Sequence, residues 1–354
     1  MSEKPLRFAV VGLGMGQAHC HDINDARGAE LVAVCDLVPE RVEAMTKAYG
    51  CRGTTDFAEI LAAPDIDVVN IATPSGMHAE HTIAALRAGK HVICEKPPEV
   101  TVAKVDSMIA AQRETGKKLM IIFQSRFEPL YRRLRQTIQD GRLGRLIGVH
   151  ATVHWYREQS YFTCPGMWKG TWALDGGGSL ANQGVHTVDL IQWLCGPVVE
   201  VYGKYGVYAH DIEAEDKTVA VLEFANGALG TLTSTTALYP GMDTELIVHG
   251  ERGTIHCQAG LRMWRIRGET PEAEAEEERQ MMELYGPGDK PAGSVSSDPF
   301  AFATRGHLAQ VEDMVQAIRE DREPYITAES TRHTVEILNA IYQSARDGRP
   351  VRLG

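Results

Sequence analysis

Through the first third of the chain, short runs that are apolar along their length alternate with amphipathic stretches. The runs are Arg7 to Val11, Leu31 to Cys35, Val68 to Ala72, His91 to Cys94 and Leu119 to Phe123, the pattern of strands whose two faces are both covered. Between them, Glu40 to Tyr49, Ala79 to Ala88 and Val102 to Thr115 carry apolar residues at helical spacing. Strand and helix in alternation fold as βαβ units with right-handed crossovers, which builds a parallel sheet. Gly89 and Gly116 each follow a helical stretch and precede a strand, where a left-handed residue ends a helix.

After Gln124 the period shortens to two. Leu146 to Tyr156, Val198 to Tyr208, Thr218 to Phe224, Ala228 to Thr236 and Glu245 to His249 read as antiparallel strands, with Ala225-Asn226-Gly227 and Gly250-Glu251-Arg252-Gly253 as hairpin turns. Helical periodicity returns from Arg305, through Leu308, Val311, Met314, Val315 and Ile318, then Val335, Leu338, Ile341 and Tyr342. Thr270 to Ser297, acidic and then rich in Gly, Pro and Ser, reads as a solvated excursion or mobile loop.

The change of rhythm and the length of 354 residues both predict two domains, 1–124 and 125–354. A content of 44% hydrophobic and 23% charged residues is that of a globular protein, and no apolar run approaches the roughly 20 residues of a membrane-spanning helix. The opening Met-Ser-Glu-Lys-Pro carries no pattern of a secretory or transit signal, so a cytoplasmic location is expected. Seven scattered cysteines without a C-x-x-C pair suggest neither a disulfide framework nor a cysteine zinc site. A net charge of −11 opposes binding to nucleic acid. A small molecule is the expected partner.

Gly12-Leu13-Gly14-Met15-Gly16 follows the first strand and opens a helix. There, missing Cβ atoms permit a tight turn, and a helix N-terminus offers free N–H groups to a pyrophosphate. The spacing G-x-G-x-G is one residue shorter than the usual fingerprint and by itself also suits a structural turn. Asp36, at the end of the second strand, is placed to accept hydrogen bonds from an adenosine ribose diol, against the plainer role of a solvated strand-end carboxylate. Its charge would repel a 2′-phosphate and Leu37 beside it offers none in compensation, so NAD is expected over NADP, with Arg41 leaving the second open.

Three further stretches, Thr73-Pro74-Ser75-Gly76-Met77-His78, Glu95-Lys96-Pro97 and the run from Gly176-Gly177-Gly178 through Asn182 and His186 to Asp189-Leu190, join Gly12 to His19 in a specific order. Together they resemble the Gfo/Idh/MocA family, named for glucose-fructose oxidoreductase and inositol dehydrogenase. The likeness spans nearly the whole chain, including Arg126-Phe127 and the helical tail. It implies an α/β fold: an N-terminal Rossmann domain with a doubly wound parallel sheet that binds NAD(P), and a C-terminal α/β domain with an open, mainly antiparallel sheet that often forms an oligomer interface. A homodimer or homotetramer is the implied assembly. On the same footing Gly12, Gly14, Met15, Gly16, Asp36, Thr73, Pro74, His78, Glu95 and Lys96 contact the cofactor, while Lys96 and His186 match the catalytic lysine and histidine. Asn182 stands where many members carry Asp, and an amide cannot carry a proton.

The chemistry of the residue types agrees. Oxidising a secondary alcohol releases a hydroxyl proton, which histidine can take near neutrality, and a lysine ammonium can stabilise the developing alkoxide. Lys96 stands just past a strand's carboxyl end, where open α/β sheets bind ligands, although a lysine there is more often a surface residue. Asn182, His186 and Asp189 are spaced as one polar helix face. That face suggests proton transfer with Asn182 orienting its neighbours. A metal is not expected, since no second His or Cys cluster accompanies them. Arg126, Tyr156, Arg157, Trp168, Trp172, Asn182 and Asp189 are candidates for substrate contact, with loop anchoring the alternative for the two tryptophans.

The function read from the sequence is an NAD-dependent dehydrogenase acting on a secondary alcohol of a sugar, inositol, sugar acid or glycoside. Two alternatives remain. One is a glycoside-processing enzyme in which oxidation is transient. The other is a ligand-sensing regulator without catalysis, which retention of both Lys96 and His186 disfavours.

Overall fold

The computed structural model describes residues 4–163, 166–287 and 305–354. The helices are α1 Gly16–Asp25, α2 Pro39–Tyr49, α3 Phe57–Ala62, α4 His78–Arg87, α5 Val102–Thr115, α6 Pro129–Gln139, α7 Val185–Cys195, α8 Pro271–Tyr285, α9 Arg305–Arg319 and α10 Ala328–Asp347. Among them no helix is long and apolar enough to cross a membrane.

In one compact unit, β1 Leu6–Val11, β2 Ala29–Cys35, β3 Arg52–Thr54, β4 Val68–Ile71, β5 His91–Cys94 and β6 Leu119–Ile121 form a parallel sheet in the order β3-β2-β1-β4-β5-β6. This is the doubly wound order, and the direction of winding reverses between β1 and β4. The loops after those two strands therefore diverge and open a crevice at the carboxyl ends. Local signals set the helix ends: Pro39 occupies the first turn of α2, the Thr101 hydroxyl accepts from the Lys104 N–H at the start of α5, and Gly116 (φ 65°) ends it. The short β3 and α3, which the periodicity does not reveal, complete the first half of the sheet.

The core joins Phe8, Val10, Ile23, Val34, Val68 and Ile93 to Val311, Met314 and Val315 of α9. Residues up to Gln124 accordingly form this unit with the described C-terminal residues up to Val335, whereas those from Ser125 and from Glu336 onward belong to the other. The helical tail, placed wholly in 125–354 by chain position, is thus divided. An apolar stripe goes where complementary surface exists, and sequence distance does not decide it.

The second unit is built on β7 Leu146–His154, β8 Val198–Gly206, β9 Lys217–Phe224, β10 Leu229–Thr235, β11 Glu245–Gly250, β12 Gly253–Gln258, β13 Leu261–Ile266 and β14 Val351–Arg352, in the order β13-β12-β11-β7-β10-β9-β8-β14. All pairs are antiparallel except β7 with β10, where Gly148 lies beside Leu229 and His154 beside Thr235 in parallel. Both expected hairpins are present, β9–β10 and β11–β12. Alternation buries Val149, Ala151, Leu222, Leu232, Leu246 and Val248 on one face and leaves Ile147, Val219, Val221 and Leu229 exposed.

The excursion expected over Thr270 to Ser297 is corrected by α8; its remainder from 288 lies outside the described residues. The Thr270 side chain caps the first turn, Pro271 opens it and Glu272 and Glu274 suit its positive end. Glu277 then accepts from Arg142 and from the Trp264 indole. The acidic residues of this stretch are helix-start signals and ion-pair partners rather than a solvated run.

Candidate active site

At the carboxyl end of β1, Gly12 (φ 90°) passes so close to β4 that a Cβ would lie 2.5 Å from the Ala72 carbonyl oxygen. Gly16 is similarly confined, with Val10 Cγ1 at 2.9 Å, whereas a Cβ on Gly14 would meet nothing within 4 Å. Two glycines are required by the fold and the middle one leaves open space, which fits a pyrophosphate against the start of α1. Met15 lies at that start, partly exposed.

Asp36 ties this loop to the end of β2. Its Oδ2 accepts the Leu13 N–H at 2.6 Å and its Oδ1 the Val38 N–H at 2.8 Å, with Arg41 at 3.6 Å. Thr73 and Pro74 follow β4. The His78 ring, fully buried, meets the Thr73 carbonyl at 2.8 Å and the Pro97 carbonyl at 2.8 Å. Burial pushes its pKa down, although those carbonyls favour the charged ring. His78, expected as a cofactor contact, thus braces the loops after β4 and β5 with both ring nitrogens.

Glu95 is likewise turned inward. Its Oε1 pairs with His19 Nε2 at 2.8 Å and its Oε2 accepts the Lys96 N–H at 2.9 Å. Burial opposes its charge, yet His19, followed by the Lys96 ammonium, holds the carboxyl well below the usual range. The result fixes the backbone of Lys96 at the strand end while its side chain remains partly exposed. His19, and Glu99, whose carboxylate accepts the Ala79 and Val100 N–H groups, are supports the sequence reading missed. Their signal was a charged or polar residue beside each motif.

In the second unit Leu180–Gly184 winds as a π-helical turn that runs into α7. From Leu180 to Leu190 only Asn182 and His186 reach solvent. The expected three-residue polar stripe breaks at Asp189, which lies about 60° round the helix from His186 and is buried. Arg126 grips it with two bonds, Nε to Oδ2 at 2.7 Å and Nη2 to Oδ1 at 2.5 Å. Two candidates for substrate contact are therefore each other's partners.

Asn182 donates from Nδ2 to Oδ1 of Asp175 at 2.8 Å, and the other oxygen of that buried carboxylate accepts the Gly170 N–H at 2.8 Å. Gln183 reaches the Tyr161 hydroxyl at 3.1 Å, and the Lys169 ammonium sits 3.6 Å from the Tyr161 ring centre. Asp175, Tyr161 and Lys169 thus join the neighbourhood of Asn182 without having been singled out by spacing, because they come from an irregular loop. Trp172 packs edge-on to Tyr342 at 5.0 Å and beside Tyr205 at 5.5 Å, a loop anchor. Trp168 is half-buried near Lys169. Tyr156 meets Tyr239 edge-on at 5.2 Å, and Arg157 is buried beneath Trp155 and Tyr161 with Nη1 on the Tyr156 carbonyl. Among the described residues, no group of three or more His, Cys, Asp and Glu is placed to hold a metal ion.

Family models match both parts of the chain: an oxidoreductase-family, NAD-binding Rossmann fold over residues 6–123 and a GFO/IDH/MocA C-terminal domain over residues 131–256. The chain belongs to the Gfo/Idh/MocA family. This member is 31% identical over 259 residues to inositol 2-dehydrogenase of Rhizobium meliloti, covering 72% of this chain and 76% of that protein. It is 31% identical over 258 residues to D-glucoside 3-dehydrogenase of Escherichia coli, covering 67% and 72%. Among solved structures, the WlbA dehydrogenase of Bordetella pertussis, crystallised with NADH and UDP-GlcNAcA, superposes with a TM-score of 0.87 at 31% identity, covering 100% of this chain and 99% of that one. The protein is an NAD-dependent dehydrogenase acting on CH–OH donors.

Proposed function

We propose that this enzyme oxidises a ring secondary alcohol of a sugar, inositol or glycoside, with His186 as the base for the hydroxyl proton. The observation that carries the reading is the π-helical turn, which leaves only Asn182 and His186 accessible along Leu180–Leu190. NAD, when bound, supplies the acceptor for the hydride that leaves the carbinol carbon. The rest falls to the chain. His186 takes the proton from the hydroxyl oxygen, Lys96 stabilises that oxygen as it gains charge, and Asn182, itself held by Asp175, orients the histidine or a hydroxyl without exchanging a proton. Asp36 serves the adenosine ribose, and Gly14 admits the pyrophosphate.

The substrate class rests on relatives named for inositol and a D-glucoside and on a neighbour holding UDP-GlcNAcA, all of which present ring hydroxyls. A homodimer or homotetramer belongs to the same reading, supported by the exposed Ile147, Val219, Val221 and Leu229 on the outer sheet face, and sedimentation checks it. So does a cytoplasmic location.

The test is NADH absorbance with a panel of sugars, inositols and sugar acids, repeated with Lys96→Ala and His186→Ala. General acid-base groups contribute about 10²- to 10⁴-fold in rate, so each variant should lose turnover on that scale while still binding NADH. A variant that turns over nearly as fast as wild type removes its residue from the mechanism.

A further inference from the structure

Behind the turn that carries Asn182 lies a buried carboxylate to which the proposed chemistry assigns no role. Oε1 of Glu215 accepts from the Gly178 N–H at 3.1 Å, the Leu180 N–H at 2.9 Å and the Tyr342 hydroxyl at 2.8 Å. The main-chain carbonyl of Glu215 takes the Ser179 N–H at 2.9 Å, so three successive amides are fastened to one residue. The Asn182 N–H in turn donates to the Gly178 carbonyl at 3.0 Å. The glycines are there to permit this approach, since a Cβ on Gly178 would lie 1.8 Å from the Glu215 carbonyl oxygen and one on Gly177 2.1 Å from the Tyr342 hydroxyl.

We propose that Glu215 is a positioning residue for the Asn182–His186 segment, and that its charge state sets how firmly the segment is held. The inference rests on the reading of His186 as the base. As a carboxylate, Glu215 gathers all three donors on one oxygen with charge-assisted bonds, roughly twice as strong as neutral ones. Protonated, it either displaces a donor from Oε1 or carries the proton on Oε2, which none of the three donors reaches, and Oε1 loses the charge that strengthens its bonds. The turn loosens in both cases.

Burial pushes Glu215 up to about 7, against the pull of the Leu180 amide, the Tyr342 hydroxyl, the Gly178 amide and Thr218. These are the groups that face it from the turn, from α10 and from β9, and Asp175 lies beyond the phenol. Tyr342 stays neutral and able to donate, because burial and then the Glu215 charge raise its own pKa well above 10. Both forms of Glu215 are therefore populated near neutrality, and turnover should fall as pH drops through that region. Protonation of His186 would act in the same direction, so the two ionisations must be separated.

The experiment measures kcat against pH for wild type, Glu215→Gln and Tyr342→Phe, with NADH affinity determined alongside. Gln keeps a carbonyl acceptor but cannot titrate, so the acid limb should lose one ionisation and become shallower, with NADH affinity unchanged. Tyr342→Phe removes a donor that favours the carboxylate, so the ionisation should move to higher pH. Raising the temperature should shift the histidine component and leave the Glu215 component in place, because carboxyl ionisation carries little enthalpy. Profiles of Glu215→Gln that superimpose on wild type would overturn the proposal, as would an unmoved limb in Tyr342→Phe, which decides the matter if Gln is not tolerated. His186→Ala with full turnover would instead dismiss the base, and the Glu215 component would still be read from the wild-type profile.

Discussion

Gly14→Ala separates the part of the glycine loop that serves the fold from the part that serves the cofactor. At Gly14 the backbone is not left-handed, and an added Cβ has nothing within 4 Å. Alanine there restricts the unfolded chain without straining the folded one, which predicts a stability equal to wild type or higher by up to about 1 kcal/mol. In the proposed reading the open side is where the loop backbone approaches a pyrophosphate. A methyl group in that gap lengthens at least one charge-assisted hydrogen bond, worth about 1.5–3 kcal/mol. At 1.4 kcal/mol per tenfold, NADH affinity should weaken about 10- to 100-fold. Gly12→Ala supplies the contrast, since φ 90° and a Cβ 2.5 Å from the Ala72 carbonyl oxygen combine backbone strain with overpacking and predict a loss of about 2–5 kcal/mol. Urea unfolding gives the stabilities and NADH fluorescence the affinities. Wild-type NADH affinity in Gly14→Ala would refute the placement of the pyrophosphate, and a destabilised Gly14→Ala would show that the gap is occupied.

Other outcomes follow from the buried charges. Asp189→Ala leaves the Arg126 guanidinium buried without its carboxylate, so urea unfolding should show a loss of about 3–5 kcal/mol; a raised KM with intact stability would return both residues to the substrate. Burial pushes His307 down to about 4 from 6.5, so the folded protein refuses a proton that the unfolded chain accepts. Stability present above 6.5 is then withdrawn by up to about 3 kcal/mol as pH falls to 4. His307→Phe should unfold with a flatter dependence over that interval, and a pH-independent difference between the two proteins would contradict the burial argument.

Local pattern alone was enough for the sheet of the first unit. Buried parallel strands must be apolar along their length, and helices between them must be amphipathic, so β1, β2, β4, β5, α2, α4 and α5 are legible to within a residue or two. The positions of the glycine loop, Asp36, Lys96, Asn182 and His186 were legible for a related reason, as each lies at the end or start of a regular element. Tertiary structure decided which polar residues were spent inside the protein. Asp189 and Arg126 neutralise one another, Glu95 holds His19 and the Lys96 backbone, and His78 braces two loops; spacing cannot distinguish a polar residue facing a ligand from one facing a buried partner elsewhere in the chain. The same holds for Glu215, an ordinary acidic residue ahead of a strand until the chain folds it against Gly178 and Tyr342. Burial then raises the free energy of its charge, and only the three-dimensional arrangement supplies the donors that make that charge useful.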